Sequence, residues 1–197
     1  MKNTLKFKKS RKIVGTLKGF IFDRDGIVNK LINETGKLRP PRKISELTIN
    51  NEIIFFSKHL RAKGYKLFII SNQPDVKRGV LSINDLNKIN QKISETIYFD
   101  DIICEVHDDV AKKKPSPYMV KQVIKEHNLN ISNTWLFGDR WVDILSAKKA
   151  GIRSVLLEKD YSFSETSAGK PPKNLKPNIS IKDLKGLKSK DFLEKFH

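Results

Sequence analysis

The stretch Gly19-Phe20-Ile21-Phe22-Asp23-Arg24-Asp25-Gly26 decides the fold that the sequence predicts. Its apolar half, residues 19–22, is typical of a strand that is buried on both faces of a parallel sheet. Asp23 and Asp25 would then emerge at the carboxyl end of that strand, where open α/β sheets bind their ligands. Two carboxylates this close repel one another unless a cation lies between them, so the pair indicates a hard divalent ion such as Mg²⁺.

Apolar segments further along the chain have the spacing of alternating strands and helices. Strands are predicted at 66–70, 102–106, 134–137, 153–157 and 179–181, and helices at 48–63, 83–97, 117–128 and 184–196, with a further helix that ends at Ala150. Residues 29–42 are predicted to be a loop, and residues 159–178, rich in Ser, Pro and Lys, are predicted to be a flexible loop. This alternation predicts the α/β class: a three-layer, doubly wound parallel sheet without a large cap domain.

The length and composition predict a single soluble domain. The chain has 197 residues, of which 38% are hydrophobic and 31% are charged, enough for one domain with a substantial core. We expect a basic arm at 1–17 and one domain at 18–197. No apolar stretch approaches the roughly 18 residues of a membrane helix, so no membrane partner is expected. Cys104 is the only cysteine, which excludes an intrachain disulfide and favours a reducing cytoplasm. We also expect a monomer.

The formal net charge is +17, which would suit nucleic acid, an anionic membrane surface or a phosphorylated substrate. Lysines occur along the whole chain, although basic residues also cluster between Lys2 and Lys18. That arm is either a solvating segment or a polyanion-binding one. The charge alone therefore leaves a nucleic-acid partner open without favouring it.

Five polar groups are predicted at the carboxyl ends of strands, and one crevice would collect them. They are Asp23, Asp25, Ser71, Asp139 and a lysine before Pro115, which is either Lys113 or Lys114. These residue types suit phosphoryl transfer. One carboxylate can accept the phosphoryl group, and a second can protonate the leaving oxygen. A hydroxyl, an ammonium group and Mg²⁺ can then hold and neutralise the phosphoryl oxygens.

The ordered set of motifs resembles the haloacid dehalogenase superfamily of phosphatases. That family has an Asp-x-Asp-Gly after a strand, then a Ser or Thr, then a Lys, and then an acidic Gly-Asp-x-x-x-Asp. The corresponding segments here are Asp23-Arg24-Asp25-Gly26, Ser71, Lys114 and Gly138-Asp139-Arg140-Trp141-Val142-Asp143. The resemblance implies a Rossmann-like fold and covers about residues 19–157.

Within that superfamily the chain is most similar to the D-glycero-D-manno-heptose-1,7-bisphosphate phosphatases and the related histidinol-phosphatases. The segments that carry this likeness are Ser71-Asn72-Gln73, Arg78-Gly79 and Lys114-Pro115-Ser116-Pro117-Tyr118-Met119, together with the first motif. The resemblance implies a small phosphorylated sugar as substrate, most simply a heptose bisphosphate or a related heptose phosphate. It also implies a role in supplying nucleotide-activated heptose for surface polysaccharide, including lipopolysaccharide.

The same resemblance implies roles for individual residues. Asp23 would be the nucleophile and Asp25 the general acid and base. Mg²⁺ would bind Asp23, the backbone carbonyl of Asp25, and Asp139. The remaining positions are implied to contact the substrate: Ser71, Asn72 and Lys114 at the transferring phosphoryl group, Arg78 and Lys113 elsewhere on the substrate, and Arg140 where family members carry a basic residue. Asp143 is either part of the metal site or a helix cap.

Zinc is not expected. Related phosphatases have a zinc loop with a Cys-x-His and a later Cys-x-Cys, whereas this chain offers only Cys104 and His107 in that region. A structural zinc site requires four ligands. We therefore interpret Cys104 as a buried strand residue.

Two other functions stay open. A polynucleotide 3′-phosphatase would suit the basic composition, but the chain lacks a phosphate-binding Gly-x-x-x-x-Gly-Lys kinase motif and a run of aromatic residues interleaved with basic ones. A histidinol-phosphatase is a third enzyme of the same class. A binding protein without catalysis is disfavoured, because the acidic residues and Lys114 are all present.

Overall fold

The computed structural model describes residues 15–196. Six parallel strands form one sheet in the order β5-β4-β1-β6-β7-β8, and β2 and β3 form a separate antiparallel hairpin. The strands are Leu17–Asp23 (β1), Ile32–Glu34 (β2), Lys37–Arg39 (β3), Tyr65–Asn72 (β4), Asp101–Glu105 (β5), Leu129–Gly138 (β6), Arg153–Leu157 (β7) and Ile179–Ile181 (β8). The predicted doubly wound α/β architecture is therefore confirmed.

Six α-helices and two 3₁₀ turns connect these strands within the described residues. The helices are Asn51–Ala62 (α1), Pro74–Lys77 (α2), Ile83–Thr96 (α3), Tyr118–Glu126 (α4), Trp141–Ala150 (α5) and Lys190–Leu193 (α6). The 3₁₀ turns are Ile44–Glu46 and Leu184–Lys188. The segment between β1 and α1 contains only the β2–β3 hairpin and the first 3₁₀ turn, in agreement with the absence of a large cap.

The side chains of the central strand β1 alternate between the two faces of the sheet. Phe20 and Phe22 pack with the helices α1 and α3 and with the C-terminal segment, while Ile21 packs with α4 and α5 on the other face. All three side chains are fully buried. This alternation, with period two, is what makes residues 19–22 apolar throughout, and it fixes β1 in the middle of the three layers.

Two local predictions were wrong. The predicted closing helix 184–196 is broken into the 3₁₀ turn Leu184–Lys188 and the short helix α6. Ser189 has an extended backbone between them and accepts a hydrogen bond from the Phe192 N–H, so it begins a new helix instead of continuing the turn. The segment 29–42 also contains the β2–β3 hairpin, where the sequence predicted only a loop.

Most of the basic arm at 1–17 lies outside the described residues. Residues 159–178 contain no helix and no strand of the main sheet, and their flexibility stays a prediction. None of the helices in the described part of the chain has the length and apolar character that a membrane span requires.

Candidate active site

The carboxyl edge of the sheet collects the polar residues that follow β1, β4 and β6. Asp23 is the last residue of β1, Ser71 and Asn72 end β4, and Asp139 follows β6 directly. Lys114 reaches the same edge from the segment after β5. A cleft of about 390 Å³ opens at this edge, and its lining includes Asp23, Ser71, Asn72 and Lys114. Because parallel strands end at one edge, the fold itself brings together side chains that are far apart in the sequence.

Lys114 lies between two carboxylates at the base of this cleft. Its Nζ is 2.6 Å from Asp23 Oδ1 and 2.7 Å from Asp143 Oδ1. Burial by itself would lower the pKa of Lys114, but the charges of Asp143 and Asp23 more than offset this and raise that pKa above its ordinary value. Lys114 is therefore a permanently charged ammonium group at neutral pH.

Asp23, Asp139 and Asp143 form a compact acidic cluster. Each contributes a carboxylate oxygen, these oxygens lie within 4.8 Å of one another, and all three residues are buried. Burial raises the pKa of Asp23 well above its usual value, against the effect of Lys114, and the neighbouring carboxylates raise it further. Burial and then Asp143 likewise raise the pKa of Asp139 to about 6. One lysine does not neutralise this cluster.

Asp139 presents one free oxygen to the cluster. Its Oδ2 accepts a hydrogen bond of 2.7 Å from the Tyr161 hydroxyl, and its backbone carbonyl accepts one of 2.6 Å from Ser162 Oγ. Its Oδ1 is buried and has no hydrogen-bond partner among the described residues. A buried oxygen without a donor is costly, and oxygen ligands are those that hard divalent cations prefer. The cluster therefore fits a divalent metal ion.

Two glycines permit this crowding of carboxylates. Gly26 has a φ of +99°, and a Cβ there would lie 2.2 Å from Asp139 Oδ2. A Cβ at Gly138 would lie 2.3 Å from the Asp143 side chain. Any larger residue at either position would displace a carboxylate of the cluster.

Asp143 has both of the contacts that the sequence left as alternatives. Its Oδ2 accepts a hydrogen bond of 3.1 Å from the Arg140 backbone N–H at the start of α5, which is a helix-capping contact. Its Oδ1 meets Lys114 in the acidic cluster. Asp143 therefore caps α5 and also contributes a carboxylate oxygen at the base of the cleft.

Asp25 is held by donors from three directions. Arg24 donates to it through Nε and Nη2, Asn29 Nδ2 donates to Oδ1 at 3.0 Å, and Gln73 Nε2 donates to Oδ2 at 2.6 Å. Ser71 Oγ lies 3.5 Å from Asp25 Oδ2 and accepts a hydrogen bond from Gln73. The Asp25 carboxylate is thus oriented at the edge of the cleft. It lies beside Asp23 but does not pair with Lys114.

Asn72 contacts the backbone of Lys114. Its Oδ1 accepts from the Lys114 N–H at 2.9 Å and its Nδ2 donates to the Lys114 carbonyl at 3.0 Å. This two-point contact fixes the chain segment that carries the lysine. The side-chain amide of Asn72 therefore uses Oδ1 and one N–H of Nδ2 on the Lys114 backbone, which leaves its second Nδ2 N–H for another acceptor.

The three remaining predicted residues lie at different distances from the cluster. Arg78 and Arg140 line the cleft. Arg78 is paired at 3.3 Å with the buried Asp75, which also binds Arg42 at 2.8 Å. Lys113 does not line this cleft; its Nζ binds Asp108 at 2.6 Å, and it lines an adjacent cavity that shares Ser167 and Ala168 with the cleft.

Cys104 and His107 lie away from the acidic cluster. Cys104, in β5, is only partly buried, so the prediction of a buried residue was wrong; Asn90 Nδ2 approaches its sulfur at 3.5 Å. Its outer position on the sheet-edge strand β5 explains this exposure. His107 is exposed, and its backbone N–H donates to Glu105.

Sequence reasoning missed several residues of the site. Arg24 and Gln73 were visible inside the quoted motifs, but their contacts with Asp25 depend on side-chain direction. Tyr161 lies in the segment predicted to be a flexible loop, Arg42 lies in the segment between β3 and the first 3₁₀ turn, and Asp75 lies in α2. Only a contact between distant segments reveals these three, so no local signal in the sequence could have found them.

Comparison with known proteins places the chain in a family. The family model described as "Haloacid dehalogenase-like hydrolase" matches residues 28–157. The chain belongs to the haloacid dehalogenase-like hydrolases. This hydrolase thus has the family that its motifs resembled, and the carboxyl-edge cleft is its candidate active site.

Curated relatives of this hydrolase include several heptose bisphosphate phosphatases. It is 31% identical over 165 residues to D-glycero-alpha-D-manno-heptose-1,7-bisphosphate 7-phosphatase of Photorhabdus laumondii, covering 76% of this chain and 87% of the relative. It is 28% identical over 156 residues to D-glycero-beta-D-manno-heptose-1,7-bisphosphate 7-phosphatase of Helicobacter pylori strain 26695, covering 73% and 85%.

Solved structures share the fold of this hydrolase. The D,D-heptose 1,7-bisphosphate phosphatase from B. bronchiseptica, solved in complex with magnesium and phosphate, matches with a TM-score of 0.68 at 21% identity. That match covers 85% of this chain and 94% of the other. The enzyme of the same name from Burkholderia thailandensis matches with a TM-score of 0.58 at 18% identity, covering 91% and 97%.

Proposed function

We propose that this hydrolase is a Mg²⁺-dependent phosphatase that removes the 7-phosphate from D-glycero-D-manno-heptose 1,7-bisphosphate. The observation that carries the proposal is the buried set of Asp23, Asp139, Asp143 and Lys114 at the carboxyl edge of the sheet. Several carboxylates beside one fixed ammonium group suit a phosphoryl group held with a divalent ion. The names of the curated relatives support the choice of sugar.

Asp23 and Asp25 would carry out the chemical steps. An oxygen of Asp23 attacks phosphorus while the bond between phosphorus and the sugar oxygen breaks, and that sugar oxygen takes a proton from Asp25. Water then attacks the aspartyl-phosphate and gives a proton to Asp25. Inorganic phosphate leaves, and the Asp23 carboxylate is restored. The burial of Asp23 beside Lys114 supports this choice of nucleophile.

The metal ion would be held by Asp23, the backbone carbonyl of Asp25, and Asp139, with Asp143 next to it. The unpartnered Oδ1 of Asp139 supports this assignment. When bound, Mg²⁺ supplies charge that neutralises the phosphoryl oxygens.

Lys114 and Ser71 would bind the transferring phosphoryl group. The Lys114 ammonium group is fixed by its carboxylate partners and by the contact of Asn72 with its backbone. We therefore assign the Asn72 side chain to positioning Lys114, and its second Nδ2 N–H to the phosphoryl group. A fixed donor loses little entropy when substrate arrives.

The second phosphate of the substrate would meet the basic residues around the cleft. Arg78 and Arg140 line it, and Asp75 holds both Arg42 and Arg78 on one side. Guanidinium groups recognise phosphate with paired donors. Lys113 would contact only a substrate that extends into the adjacent cavity.

We further propose that residues 18–197 act as one domain and as a monomer in a reducing cytoplasm. All groups of the candidate site come from one chain, and the lone Cys104 forms no disulfide within it. Gel filtration with light scattering would measure the mass of the species that carries the activity. Activity confined to a dimer would refute the monomer.

The proposed function is tested by phosphate release with Mg²⁺ and with EDTA. The panel contains both anomers of heptose 1,7-bisphosphate, the corresponding 1-phosphate and 7-phosphate, histidinol phosphate and a 3′-phosphorylated oligonucleotide. Asp23→Asn removes the proposed nucleophile, and Asp191→Asn is a matched control because Asp191 is exposed and remote from the cleft. Magnesium-dependent loss of the 7-phosphate that only Asp23→Asn abolishes is the expected result.

Other outcomes would redirect the proposal. Selective hydrolysis of the oligonucleotide would make the protein a polynucleotide 3′-phosphatase and refute the sugar substrate. Selective hydrolysis of histidinol phosphate would also refute the sugar substrate and would make the protein a histidinol-phosphatase. Full activity of Asp23→Asn would refute the nucleophile, whichever substrate is hydrolysed.

A further inference from the structure

Arg24 is a fully buried charged residue between the two aspartates of the first motif. Its Nη2 lies 3.0 Å from Asp25 Oδ2, and its Nε lies 3.2 Å from both Asp25 oxygens. A buried guanidinium group is tolerated only when it is paired and hydrogen-bonded. Asp25 is its only carboxylate partner among the described residues.

The far side of the Arg24 guanidinium group is fixed by helix α3. Its Nη1 donates to Asn90 Oδ1 at 3.0 Å. The neighbouring Ile89 and Ile93 of α3 are fully buried in the core beneath the sheet. The plane of the guanidinium group is therefore set by a rigid element, and the carboxylate that it binds is set with it.

Every other contact of Asp25 is also with a donor. Asn29 and Gln73 each donate an amide N–H to it, and Ser71 stands 3.5 Å away. These partners are uncharged, whereas Arg24 provides both a charge and two donor nitrogens. Arg24 is accordingly the partner whose loss would most change where the carboxylate points.

We propose that Arg24, fixed by Asn90, is the positioning residue that aims the Asp25 carboxyl group at the leaving oxygen. The inference rests on the proposed function, in which Asp25 gives its proton to the sugar oxygen as the bond to phosphorus breaks. Proton transfer requires hydrogen-bond reach and alignment. Arg24 acts through Asp25 and does not itself contact substrate.

The leaving group separates this role from simple structural support. A sugar oxygen needs a proton as it departs, whereas 4-nitrophenolate departs without one. The quantity to compare is kcat/KM, because it covers the steps up to cleavage of the bond to the leaving group. A misaimed Asp25 would lower kcat/KM for the sugar phosphate and spare the aryl phosphate.

The main experiment compares Arg24→Gln with the wild type on a sugar phosphate and on 4-nitrophenyl phosphate. We expect kcat/KM to fall about 10- to 100-fold on the sugar phosphate and by less than about 3-fold on the aryl phosphate, since general acid catalysis contributes about 10²- to 10⁴-fold in all. Adding Arg24→Gln to Asp25→Asn should lower sugar-phosphate turnover no further. Equal losses on both substrates would overturn the proposal.

A milder pair of variants guards against misfolding of Arg24→Gln. Asn90→Ala removes only the contact that fixes the guanidinium group, and should lower kcat/KM on the sugar phosphate by about 3- to 10-fold with the same discrimination. Asn87→Ala is the matched control, because Asn87 is an exposed asparagine on the same helix. Equal behaviour of the two asparagine variants would refute the role of Asn90.

A structural measurement decides the inference even if the proposed function fails. Crystal structures of Asn90→Ala and Arg24→Gln should show the Asp25 carboxylate rotated away from Gln73 or in more than one conformer. An unchanged Asp25 in both variants overturns the positioning role. Absence of phosphate release by the wild type would refute the proposed function alone.

Discussion

Asp139 is a residue at which the candidate metal site opposes folding stability. It is 1% exposed, and burial together with the charge of Asp143 raises its pKa to about 6. An unfolded aspartate titrates near 3.9. The folded protein therefore binds a proton more tightly than the unfolded chain does, so stability is lost as the pH rises from about 4 to about 6. Across that window the loss reaches at most about 3 kcal/mol, at 1.36 kcal/mol for each pKa unit.

Asp139→Asn should therefore stabilise the metal-free protein. The amide keeps an oxygen for the Tyr161 hydroxyl, which lies 2.7 Å from the present Oδ2, and it removes one charge from the cluster. In EDTA at pH 7.5 we expect a gain of about 1–3 kcal/mol, which corresponds to a rise in Tm of roughly 2–12 °C for a chain of this size. The gain should vanish near pH 4, where the wild-type carboxyl group is already protonated when folded.

Excess Mg²⁺ should reverse the order of the two proteins. The wild type gains stability from binding in proportion to the logarithm of metal concentration over Kd, whereas Asp139→Asn lacks the free oxygen and should gain little. Urea unfolding at pH 4.0 and 7.5, with EDTA and with Mg²⁺, measures the free energy of unfolding of each protein under these four conditions. Asp191→Asn serves as the surface control. A metal-free Asp139→Asn that is less stable than the wild type at pH 7.5 would refute the reasoning, as would a gain that is equal at both pH values.

Three further predictions concern the surroundings of this site. Tyr161→Phe removes the donor to Asp139 and should weaken Mg²⁺ binding about 10- to 100-fold in calorimetry, with an unchanged fold; unchanged affinity would contradict this. Gly26 has a φ of +99°, and the Cβ added by Gly26→Ala would lie 2.2 Å from the Asp139 carboxylate. This variant should lose activity and have a lower Tm in a thermal melt, whereas a stable, active variant would disprove the close approach. Hydrogen bonds from Arg39 and then from a backbone N–H lower the pKa of Glu46 to about 2. This carboxylate therefore stabilises the fold above about pH 4.5 and loses that effect as the pH falls towards 2. Because its side chain is 20% exposed, Glu46→Gln should cost only about 1–2 kcal/mol in urea unfolding at pH 7; an equal cost at pH 3 would contradict the assignment.

The sequence predicts the sheet well because its strands are buried on both faces. Residues 19–22 and 67–70 contain no polar side chain, and only a strand between two helical layers requires that pattern. The C-terminal segment was harder to predict because its apolar residues repeat with helical spacing on both sides of Ser189. The serine ends one turn and caps the next, a choice that depends on one side-chain hydrogen bond.

In the candidate site, the local sequence pattern predicts some residues, whereas the contacts of others depend on tertiary structure. Asp23, Ser71 and Asp139 were predictable because each lies at the carboxyl end of a strand, and topology alone then places them at one edge. The contact of Lys113 with Asp108 and that of Asn72 with the Lys114 backbone were not predictable. In both cases the residue type suits a contact with phosphate. The conformation of the loop determines which protein group the side chain contacts instead.

The arrangement of charge in this site explains why its parts are held by so many separate segments. Asp23, Asp139 and Asp143 repel one another in a buried space, so each must be kept in place by contacts that come from elsewhere. Lys114 holds two of them, Tyr161 fixes the third, and Arg24 keeps Asp25 apart from the cluster. A cation that binds in the cluster relieves this repulsion between carboxylates, which the folded protein must otherwise overcome. The destabilisation of the metal-free protein and its affinity for metal therefore share one source, and variants that remove a carboxylate of the cluster should lower both.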